Sequence, residues 1–165
     1  MAITRIGAGA SDNWELITSV TPTASSATVN LTSIPSRRKL MLVLKNVQTN
    51  ASSQVNVRVN NDSGTNAYQI GTLDYTSGVF NGSFVATEGY IRLTNGSAST
   101  FYAYLILSSC DNAGVKIIEN GGTTAGGVIP QMNGVYFGSA VVSELNVLTA
   151  STFKALGTIE VYGAR

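Results

Sequence analysis

A chain of 165 residues with 44% hydrophobic residues is long enough for one domain with its own core and too apolar to stay disordered. Charged residues make up only 12%, about half the usual share, and the net charge is +1, so the sequence offers no electrostatic basis for nucleic-acid binding. There is no histidine and only one cysteine, which removes Ser-His-Asp and Cys-His chemistry, the commonest zinc ligand and any disulfide within the chain.

Residues 1–13, "MAITRIGAGASDN", have neither a regular period nor the apolar stretch of a signal peptide. They read as an extended N-terminal arm ahead of a single domain over 14–165. A first strand is predicted over 14–20. Ala27, Val29 and Leu31 then alternate with Thr28 and Asn30, as in a half-buried strand. "LMLVL", residues 40–44, is apolar on both faces and reads as a central strand covered on both sides. Val55, Val57 and Val59 alternate cleanly with Asn56 and Arg58. Further strands are predicted over 68–73, 90–94, 101–107, 115–119, 135–142 and 158–162. The "FYAYLIL" run over 101–107 is again apolar on both faces, and far too short to cross a bilayer. Residues 143–156 are the best helix candidate, but their β-branched and hydroxyl side chains fit a strand or loop equally well.

Asn-Gly pairs at 81–82, 95–96, 120–121 and 133–134 read as turns, because both residues tolerate positive φ. Asn95-Gly96 is predicted to close a hairpin between the strands at 90–94 and 101–107. Eight to ten short strands with frequent turns predict an all-β protein, a jelly-roll-like antiparallel sandwich.

The polar run 60–66, "NNDSGTN", has the look of a metal loop, a sugar-binding loop or a turn. Asp62 is its only acid, too few for a calcium loop. It reads as a hairpin loop between the strands at 55–59 and 68–73, with Asp and Asn bonding their own backbone and Gly64 supplying positive φ. Residues 120–127 resemble a phosphate cradle only superficially, since no Gly-Lys-Ser/Thr follows. Asp12 with Glu15, and Asp62 with Asp74, are conceivable carboxylate pairs, but their flanks do not set them apart from solvated loop positions. Cys110 reads as a buried structural thiol. The sequence therefore predicts no catalytic residue, no metal, no cofactor and no enzyme.

Three features point to partners instead. Residues 120–143 run for 24 positions without a charge, which suits either a plain loop or a subunit interface; Val128, Ile129, Tyr136 and Phe137 are the candidate interface residues. Arg37, Arg38 and Lys39 form the only basic cluster, either a solvated guard before an aggregation-prone strand or a docking patch for an acidic protein surface. Tyr102 and Tyr104 share one strand face and suit core packing, subunit packing or sugar stacking.

The segments "WELI" at 14–17, "LMLVLKNV" at 40–47, "NNDSGTNAY" at 60–68 and "IEVYG" at 159–163 together resemble small β-sandwich virion proteins of tailed bacteriophages. The turn departs from the pattern by Ala67, inserted before Tyr68. The resemblance is spread across most of the chain. It implies a structural role without catalysis: a capsid decoration (cement) protein that binds the major capsid protein as a homotrimer and stabilises the head. The alternative is a tail-fibre or baseplate module that binds a receptor or carbohydrate. Either would be a virion component assembled in the host cytoplasm, with no nucleic-acid or membrane partner. On this reading Arg5 in the arm, with Arg37, Arg38 and Lys39, are the candidate capsid contacts.

Overall fold

The computed structural model describes residues 13–65, 67–76, 79–94, 100–124 and 129–165 (backbone only for 72–76, 79–81, 83–87, 123–124 and 129–130). Within them the chain forms twelve strands and no helix. They are β1 (Glu15–Val20), β2 (Thr28–Leu31), β3 (Lys39–Gln48), β4 (Val55–Val59), β5 (Tyr68–Thr76), β6 (Val79–Glu88), β7 (Ile91–Arg92), β8 (Thr100–Ser108), β9 (Lys116–Thr124), β10 (Ile129–Tyr136), β11 (Leu145–Thr149) and β12 (Thr158–Ala164). All pairings are antiparallel. The large sheet has the order β1-β12-β3-β8-β9-β10-β5-β6, and the small one β2-β11-β4-β7. This is the all-β, two-sheet sandwich expected from the alternating pattern.

Period two explains the core. Leu40, Leu42 and Leu44 of β3, Phe101, Leu105 and Leu107 of β8, and Ile159 and Val161 of β12 all point to one face of the large sheet. Opposite them lie Val55, Val57 and Val59 of β4 and Leu145 and Val147 of β11. Each such side chain is essentially closed to solvent and contributes about 1.5–3 kcal/mol of transfer free energy.

Several expected elements fall elsewhere. β3 and β8 are covered on one face only, because the second sheet packs on a single side; Tyr102 and Tyr104 remain 47% and 42% exposed. β4 and β5 belong to different sheets, so the 60–66 segment crosses between sheets and is not a hairpin loop. β7 and β8 are likewise in different sheets, which rules out the predicted hairpin between them; Asn95-Gly96 itself lies outside the described residues. The other three Asn-Gly pairs lie inside strands β6, β9 and β10. The strand predicted over 135–142 is instead β10 at 129–136, and the helix candidate holds β11.

The reason for the misplaced turns is visible at Asn120 and Gly134. Asn120 is buried, its Nδ2 donates to the Arg92 carbonyl of the small sheet at 2.9 Å, and its Oδ1 accepts from the Met132 N–H at 3.1 Å. It joins the two layers from a strand interior. At Gly134 a Cβ would lie 2.3 Å from the Gln69 carbonyl oxygen, so close backbone approach excludes any side chain there.

Candidate functional site

The polar run after β4 is a latch. Asn60 and Asn61 take the left-handed conformation, at φ 51° and 55°, where the sequence reading placed it on Gly64. Asp62 Oδ1 accepts from the Gly64 N–H at 2.9 Å, as an Asx turn does. Asn60 Nδ2 donates to the Val141 carbonyl at 2.9 Å, and its Oδ1 accepts from the Ser143 and Glu144 N–H groups at 2.9 and 3.1 Å. The Tyr68 hydroxyl accepts from the Val59 N–H at 2.9 Å and donates to the Asp62 carbonyl at 3.1 Å; the Tyr136 hydroxyl donates to Asp62 Oδ2 at 3.2 Å. These polar groups are spent on holding the crossing between sheets, which argues against a ligand loop. Tyr136 is buried and stacked on Tyr68 at 4.9 Å between ring centroids, so it is unavailable to a partner and is removed from the interface candidates.

Lys116 is a second internal staple. Its ammonium, closed to solvent, donates to the carbonyls of Asn112, Gly114, Gly138 and Ala140 at 2.9, 2.7, 3.0 and 2.6 Å. This ties the β8–β9 connection to the segment after β10. Cys110 is buried as expected, and burial pushes its thiol up to about 12. Among the described residues, no group of three His, Cys, Asp or Glu side chains is arranged to hold a metal ion. Of the carboxylate pairs, Asp12 and the Asp74 side chain lie outside the described residues, Glu15 is ion-paired with Arg37, and Asp62 is held by the latch.

Among the described residues, two surfaces stand out. The first is a cleft of about 340 Å³ lined by Ser36, Arg37, Arg38, Asp111 and Arg165. β12 pairs with β3 so that Ala164 faces Lys39, and this brings Arg165 alongside Arg38, which is far from it in sequence. Arg37 donates to Glu15 Oε2 at 2.9 Å and to the Ser36 carbonyl at 3.2 Å, which fixes its guanidinium. The predicted contacts Arg37 and Arg38 are thus brought together. Lys39 starts β3 beside them, and Arg5 lies outside the described residues. Arg165 was missed, because no local signal links it to residues 37–38.

The second surface is the outer face of the large sheet. Successive outward residues pair across strands: Val135 faces Ile117, Met41 faces Ile106, and Val43 faces Tyr104. By the same alternation Tyr102 lies on this face of β8, while Val115 directly precedes β9 and Phe137 directly follows β10. The result is two apolar clusters set diagonally, one over β10 and β9 and one over β8 and β3, with Glu119 facing Ile106 and Ser108 facing Ile117 between them. A Cβ on Gly121 would lie 3.0 Å from both Cε1 and Oη of Tyr104, so the tyrosine ring lies across the bare backbone of β9. The Tyr102 hydroxyl meets Asn46 Oδ1 at 3.3 Å. Between the two rings runs a shallow apolar groove of about 470 Å³, lined also by Val43, Lys45 and Gly122. Lys45 Nζ is 2.7 Å from Glu160 Oε2, which also accepts from the Tyr162 hydroxyl. Of the predicted interface residues, Phe137 directly follows β10 at 46% exposure, Ile129 is described in backbone only, and Val128 lies outside the described residues.

No protein-family model and no curated protein matches the chain. Among solved structures it is similar to CG-16, a homodimeric agglutinin from chicken liver, at 13% identity and a TM-score of 0.33, over 81% of this chain and 98% of that one.

Proposed function

We propose that this chain is a structural protein of a tailed-bacteriophage virion: a capsid decoration protein that binds the outer face of the major capsid protein as a homotrimer and stabilises the head. The reading is carried by the cleft in which Arg37, already paired with Glu15, meets Arg38 and Arg165 beside Asp111, so that cations outnumber carboxylates at a place an acidic protein surface can approach. The sequence resemblance to small virion sandwiches supports it, as does a surface poor in charge. By bridging neighbouring capsid subunits, each trimer raises the cost of separating them, and weak contacts from its three subunits add through avidity. No reaction is proposed for the chain. The test is co-sedimentation with empty heads of the encoding phage. The wild-type protein is expected to pellet with heads, and Arg38→Glu with Arg165→Glu to remain in solution while melting normally. A wild-type protein that never pellets overturns the proposal.

One observation favours a second reading, a tail-fibre or baseplate module that binds carbohydrate. The Tyr104 ring, laid over Gly121 beside Tyr102, offers an aromatic platform with Lys45 and Glu160 at its rim. In that case the signals of Tyr102 and Tyr104 shift in an NMR titration with disaccharides, and Tyr104→Ala abolishes the shift.

A further inference from the structure

We infer that the ring of backbone carbonyls around Lys116 is a binding site for a monovalent cation, which the chain fills with its own ammonium. Four oxygens surround Nζ: those of Asn112 and Gly114 in the β8–β9 connection at 2.9 and 2.7 Å, and those of Gly138 and Ala140 after β10 at 3.0 and 2.6 Å. An ammonium carries only three protons. Four acceptors at this range exceed the donors, so a proton is shared or an oxygen is held by charge alone. That is the arrangement of a cation in a cage, where neutral carbonyls replace a hydration shell. Lys116 is fully closed to solvent, and the carbonyls stand in for the water its ammonium has lost. The cage also bears on the surface. Cys110 N–H donates to the Arg38 carbonyl at 3.0 Å, so the connection pinned by the cation is the one that borders the arginine cleft.

Charge and size define the ligand. Among the described residues no carboxylate pairs with Lys116; Asp111, the acid in the same connection, lines the arginine cleft and accepts from Asn112 Nδ2 at 3.0 Å. A cage of neutral oxygens leaves a second positive charge without compensation, which disfavours a divalent ion. Its contacts of 2.6 to 3.0 Å are also wider than the roughly 2.0–2.1 Å of magnesium and the roughly 2.3–2.6 Å of calcium. Potassium and ammonium ions fit both limits. The buried stem adds a further selection. Nζ lies 6.0 Å from the centroid of the Tyr136 ring. Lys116→Ala removes three methylenes and the ammonium, which is the outline of n-propylammonium. The emptied site therefore suits a primary alkylammonium of that length best, since it refills the apolar path and the cage together.

The test is thermal melting of the full chain, as wild type and as Lys116→Ala, in the chlorides of potassium, ammonium, n-propylammonium and tetramethylammonium at one ionic strength. n-Propanol serves as the neutral counterpart of n-propylammonium. Ile118→Ala, which opens a core cavity on the same strand away from the cage, is the control. At about 0.2 M, n-propylammonium is expected to raise the folded-to-unfolded ratio of Lys116→Ala by about tenfold or more over tetramethylammonium, with potassium and ammonium acting in the same direction. The wild type, its cage already filled, and Ile118→Ala are expected to show no such difference. If Lys116→Ala is unfolded in tetramethylammonium, circular dichroism is expected to show it refolding as n-propylammonium is added. A variant that melts alike in all the salts, or stays unfolded in all of them, overturns the inference. Rescue by n-propanol as strong as that by n-propylammonium also overturns it, because the site is then an apolar cavity with no preference for a cation.

Discussion

Lys116 is the buried side chain with the most hydrogen bonds among the described residues. Its ammonium satisfies four carbonyls from two loop segments. Lys116→Met keeps most of the apolar stem and leaves those four acceptors facing each other. Leaving buried carbonyl acceptors without their donor costs about 3 kcal/mol, a loss that urea unfolding will show as a lower midpoint with unchanged slope. The buried hydroxyls and thiol make a second prediction. Desolvation holds Tyr136 up to about 12 and Cys110 up to about 12, and burial also raises Tyr68. The folded state therefore keeps protons that the unfolded chain releases from 9.0 for the thiol and 10.0 for the phenols. That stability is fully present below pH 9.0 and is lost as pH rises toward about 12. Melting temperature is expected to be flat at neutral pH and to fall in this alkaline window. Tyr136→Phe will flatten the fall above pH 10.0, and Cys110→Ala will delay its onset.

At the scale of strands, glycine in the Asn-Gly pairs serves packing, and the two best-resolved cases differ in what stands in the way. At Gly134 a methyl group would meet backbone, the Gln69 carbonyl oxygen at 2.3 Å. At Gly121 it would meet the far end of the Tyr104 ring, which can swing away. Gly134→Ala is expected to cost about 2 kcal/mol or more and Gly121→Ala under about 1; chemical denaturation of the two variants will order them. A reversed order would show that β10 and β5 yield more easily than the ring. The sequence makes β1, β3, β4, β8 and β12 legible, since strict alternation beside apolar runs has few other readings. β6 is not legible, because Asn81-Gly82 sits inside it and mimics a turn. β11 hides in residues with mixed propensity. Which strands share a sheet is set by long-range pairing, on which local pattern is silent.

For the whole molecule, the topology makes the basic cleft: pairing of β12 with β3 is what adds Arg165 to a cluster the sequence shows only as Arg37, Arg38 and Lys39. The exposed face is equally a product of topology, since "FYAYLIL" is compatible with cover on both sides until the count of layers is known. The two surfaces answer differently to salt. Binding through arginines is screened, whereas burial of an apolar cluster is not. Raising ionic strength from about 0.05 M to about 0.5 M is therefore expected to release the protein from heads, as read by co-sedimentation.

The placement of Asn120-Gly121 and Asn133-Gly134 inside ladders bears on chemical ageing. Asn-Gly is the dipeptide most prone to deamidation, because the following backbone nitrogen attacks the side-chain amide to give a cyclic imide. That attack needs a backbone free to bend. Here both pairs are held extended between neighbouring strands, and Asn120 has its amide committed at both ends. Isoaspartate at these sites should accumulate slowly in the folded protein and rapidly after unfolding, so peptide mapping of stored material would report how long the sandwich has stayed closed.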